Sequence, residues 1–438
     1  MVTRLRAWLG GLAIATPAAT LGCSAILGLT DETVIADGGA DGAPEAASDA
    51  TTDSPGETSG DSSADSAGDA DAGNDAGPTG DGPQQDGCSP AALFAPVITS
   101  PTGDGPNQLV VADWNADGTV DLAVADHSAG VLEVLSGDGQ GHFASYSTYG
   151  VSGAWGVTAD TWDGKIDLAL VSYNGNGVTL FADGDAGSFS SGSTLTTGSY
   201  PRMAVGGDWN GDGKQDLAVV NEGDGTVSVY QGNGNGTFSS KPTLTAGPTA
   251  NSIVAGYWNA DKNLDLATTD WLSSSVSVFL GNGDGTFTAT TAPAGNNPQS
   301  ITTGDWNGDT LADLAVVDQT GNAVSVLLGN GDGTFKAPSP SAVYTGQFSG
   351  MAVGDWNHDG KLDVAVTDGN TTAGNVGLLL GLGNGAFQSA IILSTGGAGP
   401  RSVIARDVNG DSRLDLVVSN NNSGNPGSTV GVLLGRCP

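Results

Sequence analysis

A nine-residue acidic loop is the part of this sequence with the clearest potential for chemistry. One copy reads Asp208-Trp-Asn-Gly-Asp-Gly-Lys-Gln-Asp216, with side-chain oxygens at positions 1, 3, 5 and 9. Calcium prefers such hard oxygen ligands, and the main-chain carbonyl of position 7 can add one more. Glycine at position 6 permits the sharp turn that the loop needs. The pattern therefore predicts a calcium site.

The loop recurs in register along the chain, which strengthens the prediction. Five copies are nearly intact, and they span residues 113–121, 208–216, 305–313, 355–363 and 407–415. Two copies are eroded: one starts at Tyr257 and carries Lys262 in place of the glycine, and another, Asp160–Asp167, is one residue shorter. Because Asp, Asn and Gly are also ordinary turn formers, a metal-free turn held by side-chain hydrogen bonds remains the alternative.

The spacing of the loops indicates the elements that must position them. The final aspartates lie between 46 residues apart (Asp121 to Asp167) and 52 residues apart (Asp363 to Asp415). Each unit contains short apolar runs and a glycine-rich hairpin such as Gly329–Phe335, and no segment has a helical apolar period. Four antiparallel strands per unit are typical of a propeller blade. The fold prediction is therefore all-β, a seven-bladed β-propeller of four-stranded blades over residues 88–438.

The two ends of the repeat region predict how the ring closes. The last unit stops after its third strand at Gly435, whereas Phe94 begins a fourth strand that has no blade before it. We therefore expect the N-terminal strand to complete the seventh blade. This exchange would bring Cys88 and Cys437 together, and a disulfide is expected in an exported protein. Two unpaired thiols are the alternative.

With these motifs, residues 89–438 resemble the FG-GAP/VCBS repeat family, which includes the propeller of integrin α subunits. The resemblance implies about five structural Ca²⁺ ions on one face and ligand recognition on the other. The metal ligands that it implies are Asp113, Asn115, Asp117, Asp121; Asp208, Asn210, Asp212, Asp216; Asp305, Asn307, Asp309, Asp313; Asp355, Asn357, Asp359, Asp363; and Asp407, Asn409, Asp411, Asp415. Thr310 and Ser412 replace the glycine in two of these loops.

The first 87 residues predict export and tethering. Residues 1–22 combine Arg4 and Arg6 with an apolar stretch, as in a signal peptide. Leu21-Gly22-Cys23 resembles the lipobox of bacterial lipoproteins, although Thr20 departs from it. We expect acylation of Cys23, with simple cleavage and release of the protein as the alternative. Residues 23–87 are rich in Ala, Gly, Ser and acid, which predicts a disordered acidic linker. We expect an outer-membrane, cell-surface or periplasmic lipoprotein, or otherwise a secreted protein.

The composition excludes several classes of partner and activity. The chain holds 48 acids against 13 bases, a formal net charge of −35, which argues against nucleic acid as a partner and against membrane contact other than through a lipid anchor. With three histidines and no nucleophile motif or catalytic zinc spacing, no enzyme is predicted. We expect a monomer whose ligand is an extracellular protein or a glycan.

Tryptophans offer the remaining candidates for contacts. Position 2 of five loops is tryptophan, and we expect packing between blades rather than a ring of sugar-stacking platforms; these residues are Trp114, Trp209, Trp258, Trp306 and Trp356. Trp155 and Trp271 fall outside that register and are candidates for exposed contacts. The predicted function is a calcium-stabilised, surface-tethered, non-catalytic adhesion or protein-recognition module. The alternatives are a carbohydrate-binding, lectin-like propeller or a scaffold for a polysaccharide-active enzyme.

Overall fold

The described part of the chain folds into seven β-sheet blades. The computed structural model describes residues 92–184, 187–343, 346–369, 374–422 and 427–436. Within these residues the strands form seven antiparallel sheets. The first strand of each sheet contacts the first strands of the two neighbouring sheets, so that these strands form a closed inner ring. The prediction of an all-β, seven-bladed propeller is confirmed.

The strands are numbered in chain order, and the blades are numbered 1 to 7 from β2 onward. The inner strands are β2 (Pro106–Ala112), β6 (Ala154–Asp160), β10 (Pro201–Gly207), β15 (Ala250–Gly256), β19 (Pro298–Gly304), β23 (Phe348–Gly354) and β27 (Pro400–Arg406). The second strands are β3 (Asp121–Asp126), β7 (Asp167–Ser172), β11 (Asp216–Asn221), β16 (Asp265–Asp270), β20 (Asp313–Asp318), β24 (Asp363–Asp368) and β28 (Asp415–Asn420). The third strands are β4 (Val131–Gly137), β8 (Gly177–Asp183), β12 (Thr226–Gly232), β17 (Ser275–Gly281), β21 (Ala323–Leu327), β25 (Asn375–Leu379) and β29 (Thr429–Leu433). The outer strands are β5 (Phe143–Gly150), β9 (Phe189–Thr196), β13 (Phe238–Ser240) with β14 (Leu244–Thr245), β18 (Phe287–Pro293), β22 (Ser339–Ala342), β26 (Ile391–Ser394) and β1 (Ile98–Pro101).

Blade 3 differs from the others because its outer edge is divided into β13 and β14, both paired with β12. Lys241-Pro242 lies between the two pieces. Proline has no N–H to give to a strand ladder, so it interrupts the edge there.

Blade 7 is completed by the N-terminal strand, as the sequence predicts. β1 pairs antiparallel with β29, with Ile98 opposite Val432. The pairing continues toward the chain ends, where the Arg436 N–H donates to the Leu93 carbonyl at 2.9 Å. Cys88 and Cys437 lie outside the described residues, so the disulfide stays a prediction.

The hydrophobic core lies between blades. Each second strand is buried along its whole length, because its two faces pack against the two adjacent blades. The continuous apolar runs of these strands, such as Leu217-Ala-Val-Val220, suit burial on both faces. Outer strands such as β5 and β9 are mostly exposed and polar.

The tryptophans of the acidic loops pack between blades, which confirms that prediction. All five are at most 5% exposed. Trp209 of blade 3 meets Phe287 of blade 4 with ring centroids 6.4 Å apart, and the N–H of Gly285 donates to the Trp209 carbonyl. Trp162 of the shortened loop packs in the same way, on Phe238. The glycine-rich hairpin is therefore a docking element for the tryptophan of the preceding blade. No helix in the described parts of the chain has the length and apolar character to span a membrane.

Candidate functional site

The acidic loops lie together at one end of the ring. Each loop joins an inner strand to the second strand of the same blade. Since all inner strands run in the same direction along the central axis, every loop emerges at the same end of the ring. The strand starts and the turns between second and third strands form the opposite end.

The first position of each intact loop organises the loop backbone. In blade 1 the two carboxylate oxygens of Asp113 accept the N–H groups of Asp117 (3.1 Å) and Gly118 (2.9 Å). Asn115 Oδ1 accepts the Asp117 N–H as well, at 2.8 Å. The other four intact loops repeat this arrangement. The same side-chain oxygens that the sequence assigns to calcium thus also hold the turn.

The ninth position has a structural role that the sequence pattern alone did not reveal. Asp216 is 2% exposed; its Oδ2 accepts the Trp209 N–H at 3.2 Å and its Oδ1 accepts the Gly232 N–H at 2.8 Å. The carboxylate therefore ties the loop to the end of the third strand. Equivalent clamps occur in blade 4, whose loop is eroded, through Asp265. The clamp thus survives where the metal motif does not.

Burial also changes the ionisation of these clamps. Loss of solvation raises the pKa of Asp216, Asp265 and Asp313 to about 6 and that of Asp363 to about 7. The backbone N–H groups that each carboxylate accepts lower its pKa, but by less than burial raises it. The negative charges at positions 1 and 5 add to the increase for Asp363. A cation in the loop would favour the ionised form and oppose this effect.

Position 6 of the loop, directly after the ligand at position 5, requires a left-handed backbone. Gly213 and Gly360 have φ of 79° and 77° there, and Thr310 and Ser412 adopt φ of 69° and 65°. A residue other than glycine is disfavoured in this region, and a β-branched residue such as threonine is strained there. The two loops that the sequence marks as less regular therefore keep the same conformation at a cost. In the eroded fourth loop, Lys262 does so with φ of 66°.

The donor chemistry of the five intact loops fits calcium. Positions 1, 3 and 5 offer carboxylate and amide oxygens at the surface, and each carboxylate oxygen that already accepts one N–H has a second lone pair. In the described ranges, however, no three His, Cys, Asp or Glu side chains come together as a metal-holding group. Calcium binding at the twenty sequence-assigned ligands therefore stays a prediction.

The end of the ring opposite the acidic loops opens into a central funnel. It is a cavity of about 340 Å³, lined by the second to fourth residues of the inner strands and by residues that follow the second strands. Trp155 and Trp271, the two tryptophans outside the loop register, both line it and are half-buried. The structure therefore brings these two candidates into one site, from blades 2 and 4.

One wall of the funnel is an aromatic and ionic cluster. Arg202 Nε donates to Glu222 Oε2 at 2.7 Å, and the guanidinium lies 4.9 Å from the Trp155 ring centroid. Tyr173 extends the cluster by stacking on Trp155 and on Tyr200, with ring centroids 4.9 and 5.0 Å apart. Burial, followed by the nearby Glu222, raises the pKa of the Tyr173 hydroxyl.

The facing wall carries amides. Trp271 Nε1 donates to Gln319 Oε1 at 3.0 Å, which joins blades 4 and 5. Asn251 Nδ2 donates to Gln299 Oε1 at 3.3 Å across the same boundary. These contacts use the carbonyl oxygens of both glutamines, which leaves their NH₂ groups as hydrogen-bond donors among the residues that line the funnel.

Arg401 of blade 7 is the third charged residue of the lining, after Arg202 and Glu222. It is solvent-exposed, and none of the ion pairs among the described residues includes it. The surrounding protein, and then the positive charge of Arg202, lower the pKa of Arg401, which an arginine tolerates while remaining protonated. Sequence reasoning missed both arginines. A signal was present, since each follows a proline at the start of an inner strand, in Pro201-Arg202 and Pro400-Arg401.

Comparison with known families found one matching description, "FG-GAP-like repeat". It matches residues 162–219, 208–268, 258–316, 305–366 and 355–418. These overlapping segments cover more than half of the chain. A search of curated proteins gave no match.

Several solved structures share the fold at low sequence identity. BBS1N, solved in complex with ARL6DN, superposes with a TM-score of 0.56 and 11% identity, over 78% of this chain and 97% of that one. A catalytically inactive virginiamycin B lyase from Staphylococcus aureus, solved with quinupristin, gives 0.53 and 14%, over 78% and 99%. A protein from Lactobacillus plantarum gives 0.52 and 16%, over 66% and 88%. At these identities the similarity shows the fold alone.

Proposed function

We propose, from the premise that the chain belongs to the FG-GAP-like repeat family and folds as a seven-bladed β-propeller, that it is a calcium-stabilised, surface-tethered recognition module. The acidic loops would bind about five structural calcium ions at one end of the ring. The funnel at the other end would bind an extracellular protein. The observation that carries this proposal is the funnel itself, which gathers aromatic, amide and cationic side chains from separate blades into one concave site.

A structural role for calcium is supported by the place of the loops. Each loop's ligands belong to one blade and lie at the far end of the inner strands from the funnel. Each inner strand has seven residues, or about 20 Å at about 3.3 Å per residue. An ion at that distance cannot touch a ligand in the funnel.

Non-catalytic recognition is supported by the chemistry of the funnel lining. Its one carboxylate, Glu222, is ion-paired with Arg202 at 2.7 Å, and none of the lining residues is a histidine or cysteine. Similar folds serve different roles, since BBS1N was solved with a protein partner and the Staphylococcus aureus protein is a lyase, so the fold by itself does not decide between them.

A glycan ligand is the second candidate, and one observation favours it. Trp155 and Trp271 present half-buried aromatic surfaces within the funnel, and such surfaces suit sugar stacking. Protein partners also bind through aromatic anchors, so the two candidates share these residues.

The proposed location rests on the sequence alone. The proposed tether consists of residues 23–87 with acylation at Cys23, and all of these residues lie outside the described ranges. We include surface attachment in the proposal because a recognition funnel on a long tether would reach beyond the membrane surface.

Retention of the full chain on defined ligands tests the proposed function. A panel of immobilised extracellular proteins and a glycan array would be probed in millimolar calcium and with a chelator. We expect retention on at least one protein, reduced by a Trp155→Ala, Trp271→Ala double variant. The control Ile392→Ala, on an exposed outer strand far from the funnel, should bind as the wild type does.

Other outcomes separate the alternatives. Sugar-competed binding that depends on the two tryptophans would favour the lectin-like role. Retention on neither panel would contradict recognition as the function, and turnover of an arrayed polysaccharide would contradict the non-catalytic role.

A further inference from the structure

We propose that the funnel takes a carboxylate group, which pairs with the guanidinium of Arg401 while the rest of the ligand lies against Trp155 or Trp271. The inference rests on the proposed function, because it names the ligand chemistry of the same funnel. Its starting point is the difference between the two arginines. Arg202 is neutralised by Glu222, whereas Arg401 has no ion pair among the described residues.

The positions of both arginines are fixed by the packing of the inner strands. A Cβ at Gly156 would lie 2.3 Å from the Arg202 carbonyl oxygen, and one at Gly350 would lie 2.4 Å from that of Arg401. Glycine is therefore required for the close approach of β6 to β10 and of β23 to β27. A glycine on the preceding inner strand, Gly156 in blade 2 and Gly350 in blade 6, thus allows the close packing that places each arginine at the funnel.

A single negative charge suits this lining best. With Arg202 and Glu222 cancelling, the charged lining residues carry a net charge of +1 from Arg401. The planar guanidinium matches a carboxylate through two parallel hydrogen bonds. The NH₂ groups of Gln299 and Gln319 add neutral donors on the opposite wall. A phosphate dianion would leave one charge without a cationic partner.

The strongly acidic character of the chain does not prevent this. The acidic loop of each blade lies about 20 Å from the strand start. The acids that end the second strands near the funnel, such as Asp126 and Asp318, are buried, and burial raises their pKa values to about 8 and about 6. At physiological ionic strength charges are screened within about 8 Å. Among the charged residues that line the funnel, Arg401 is the one without an ion pair in the described parts of the chain.

The size of the cavity limits the ligand. A volume of about 340 Å³ is at the lower end of small-molecule sites, enough for one acidic side chain with its backbone or one acidic sugar. These two sources share the carboxylate, and they differ in what lies against the tryptophans.

Calorimetric titration of the full chain with matched probes tests the inference. The peptide arm uses N-acetylglutamate N-methylamide against its glutamine counterpart, and the sugar arm uses methyl galacturonide against methyl galactoside. We expect the acid to bind at least about tenfold more tightly than its neutral match in one arm, as a charge-assisted bidentate pair implies. The arm that responds identifies the source of the carboxylate.

Arginine variants locate the effect. Arg401→Gln should reduce binding of the acid to that of its neutral match. Arg406→Gln is the control, since it removes the same charge from the other end of the same strand, β27. Equal binding of acid and neutral probes in both arms, or an Arg401→Gln variant that binds like the wild type, would overturn the inference. The wild-type comparison of probes keeps the test decisive if the variant does not fold.

The proposed function can survive that failure. Retention on the protein or glycan panel that depends on Trp155 and Trp271 but not on Arg401 would leave recognition in place and remove only the carboxylate.

Discussion

Asp126, the last residue of β3, predicts an unusual dependence of stability on pH. Its side chain is fully buried, and burial, followed by the charge of Glu133 on β4, raises its pKa to about 8. Glu133 is itself 5% exposed and accepts the Gly103 N–H at 2.8 Å. Below pH 8 the folded protein therefore holds a proton on Asp126 that the unfolded chain releases near pH 4.

The sign and size of the effect follow from linkage. Because the folded state binds the extra proton between pH 4 and pH 8, the free energy of unfolding falls as pH rises through that window. The two pKa values differ by about 4 units, and each unit is worth about 1.4 kcal/mol, so the upper limit is about 6 kcal/mol. Between pH 5 and pH 8.5 the loss would be up to about 4 kcal/mol.

Asp126→Asn should remove this loss. Blade 3 already has asparagine at the equivalent position, where Asn221 Nδ2 donates to Ser228 Oγ at 3.0 Å. The variant should carry no charge at any pH. Urea unfolding at pH 5, 7 and 8.5, in constant calcium and salt, measures the difference in unfolding free energy from the wild type. We expect the variant to gain relative stability steadily with pH, by more than about 2 kcal/mol over the whole range.

A matched control separates Asp126 from the other buried acids. Asp318 has the equivalent position in blade 5, but its partner is the Ser325 hydroxyl at 2.5 Å and burial raises its pKa only to about 6. Between pH 7 and pH 8.5 Asp318→Asn should show a constant difference from the wild type, whereas Asp126→Asn should not. A difference for Asp126→Asn that stays constant at all three pH values would refute a protonated Asp126.

Four further predictions concern how the ring is held together. Trp209→Ala removes a buried interblade indole and should lower the free energy of unfolding by about 3–5 kcal/mol in urea titrations; a loss below about 1 kcal/mol would contradict the packing role. Thr310→Gly relieves a φ of 69° and should stabilise the protein by about 1 kcal/mol, whereas the reverse change Gly360→Thr should destabilise it at least as much. Thermal melts in which Thr310→Gly destabilises the protein or Gly360→Thr stabilises it would contradict backbone strain at this position. Calcium should raise the melting temperature and a chelator should lower it, each site contributing about 0.5–1.5 kcal/mol at millimolar calcium, and no shift would exclude the metal assignment. Non-reducing peptide mapping should find Cys88 joined to Cys437, and free thiols there would rule out the bond.

The ring could be predicted from the sequence because its determinants are local and repeat. Nearly every blade repeats an acidic loop with a tryptophan near its start and a glycine-rich hairpin. Each tryptophan therefore packs on the next blade in the same way. The closure by β1 was predictable for the same reason, since the segments that contain Phe94 and Gly435 are the two parts of one interrupted repeat, and these two residues pair in the structure. The ninth aspartate was assigned to calcium, and only the structure shows its clamp, because the glycine that it binds is sixteen residues away in the case of Asp216.

The funnel could not be predicted in the same way, because its residues do not repeat. The second residue of the inner strand is Trp155 in blade 2, Arg202 in blade 3 and Arg401 in blade 7, and these side chains meet only after the ring closes. Trp155 and Trp271 were recognisable as exceptions to the loop register, but nothing in their local sequence indicates that they share a cavity. The residues that line the funnel vary between blades, whereas most of the residues that build the blades repeat.

Hydrogen exchange with and without calcium tests most directly whether the two ends of the ring have separate roles. We predict slower exchange on calcium addition in the five intact loops, at residues 113–121, 208–216, 305–313, 355–363 and 407–415. The eroded loops at 160–167 and 257–265 and the starts of the inner strands around the funnel should keep their exchange rates. Equal protection in all seven loops, no protection in any loop, or protection centred on the funnel would contradict the assignment of calcium to one end and recognition to the other.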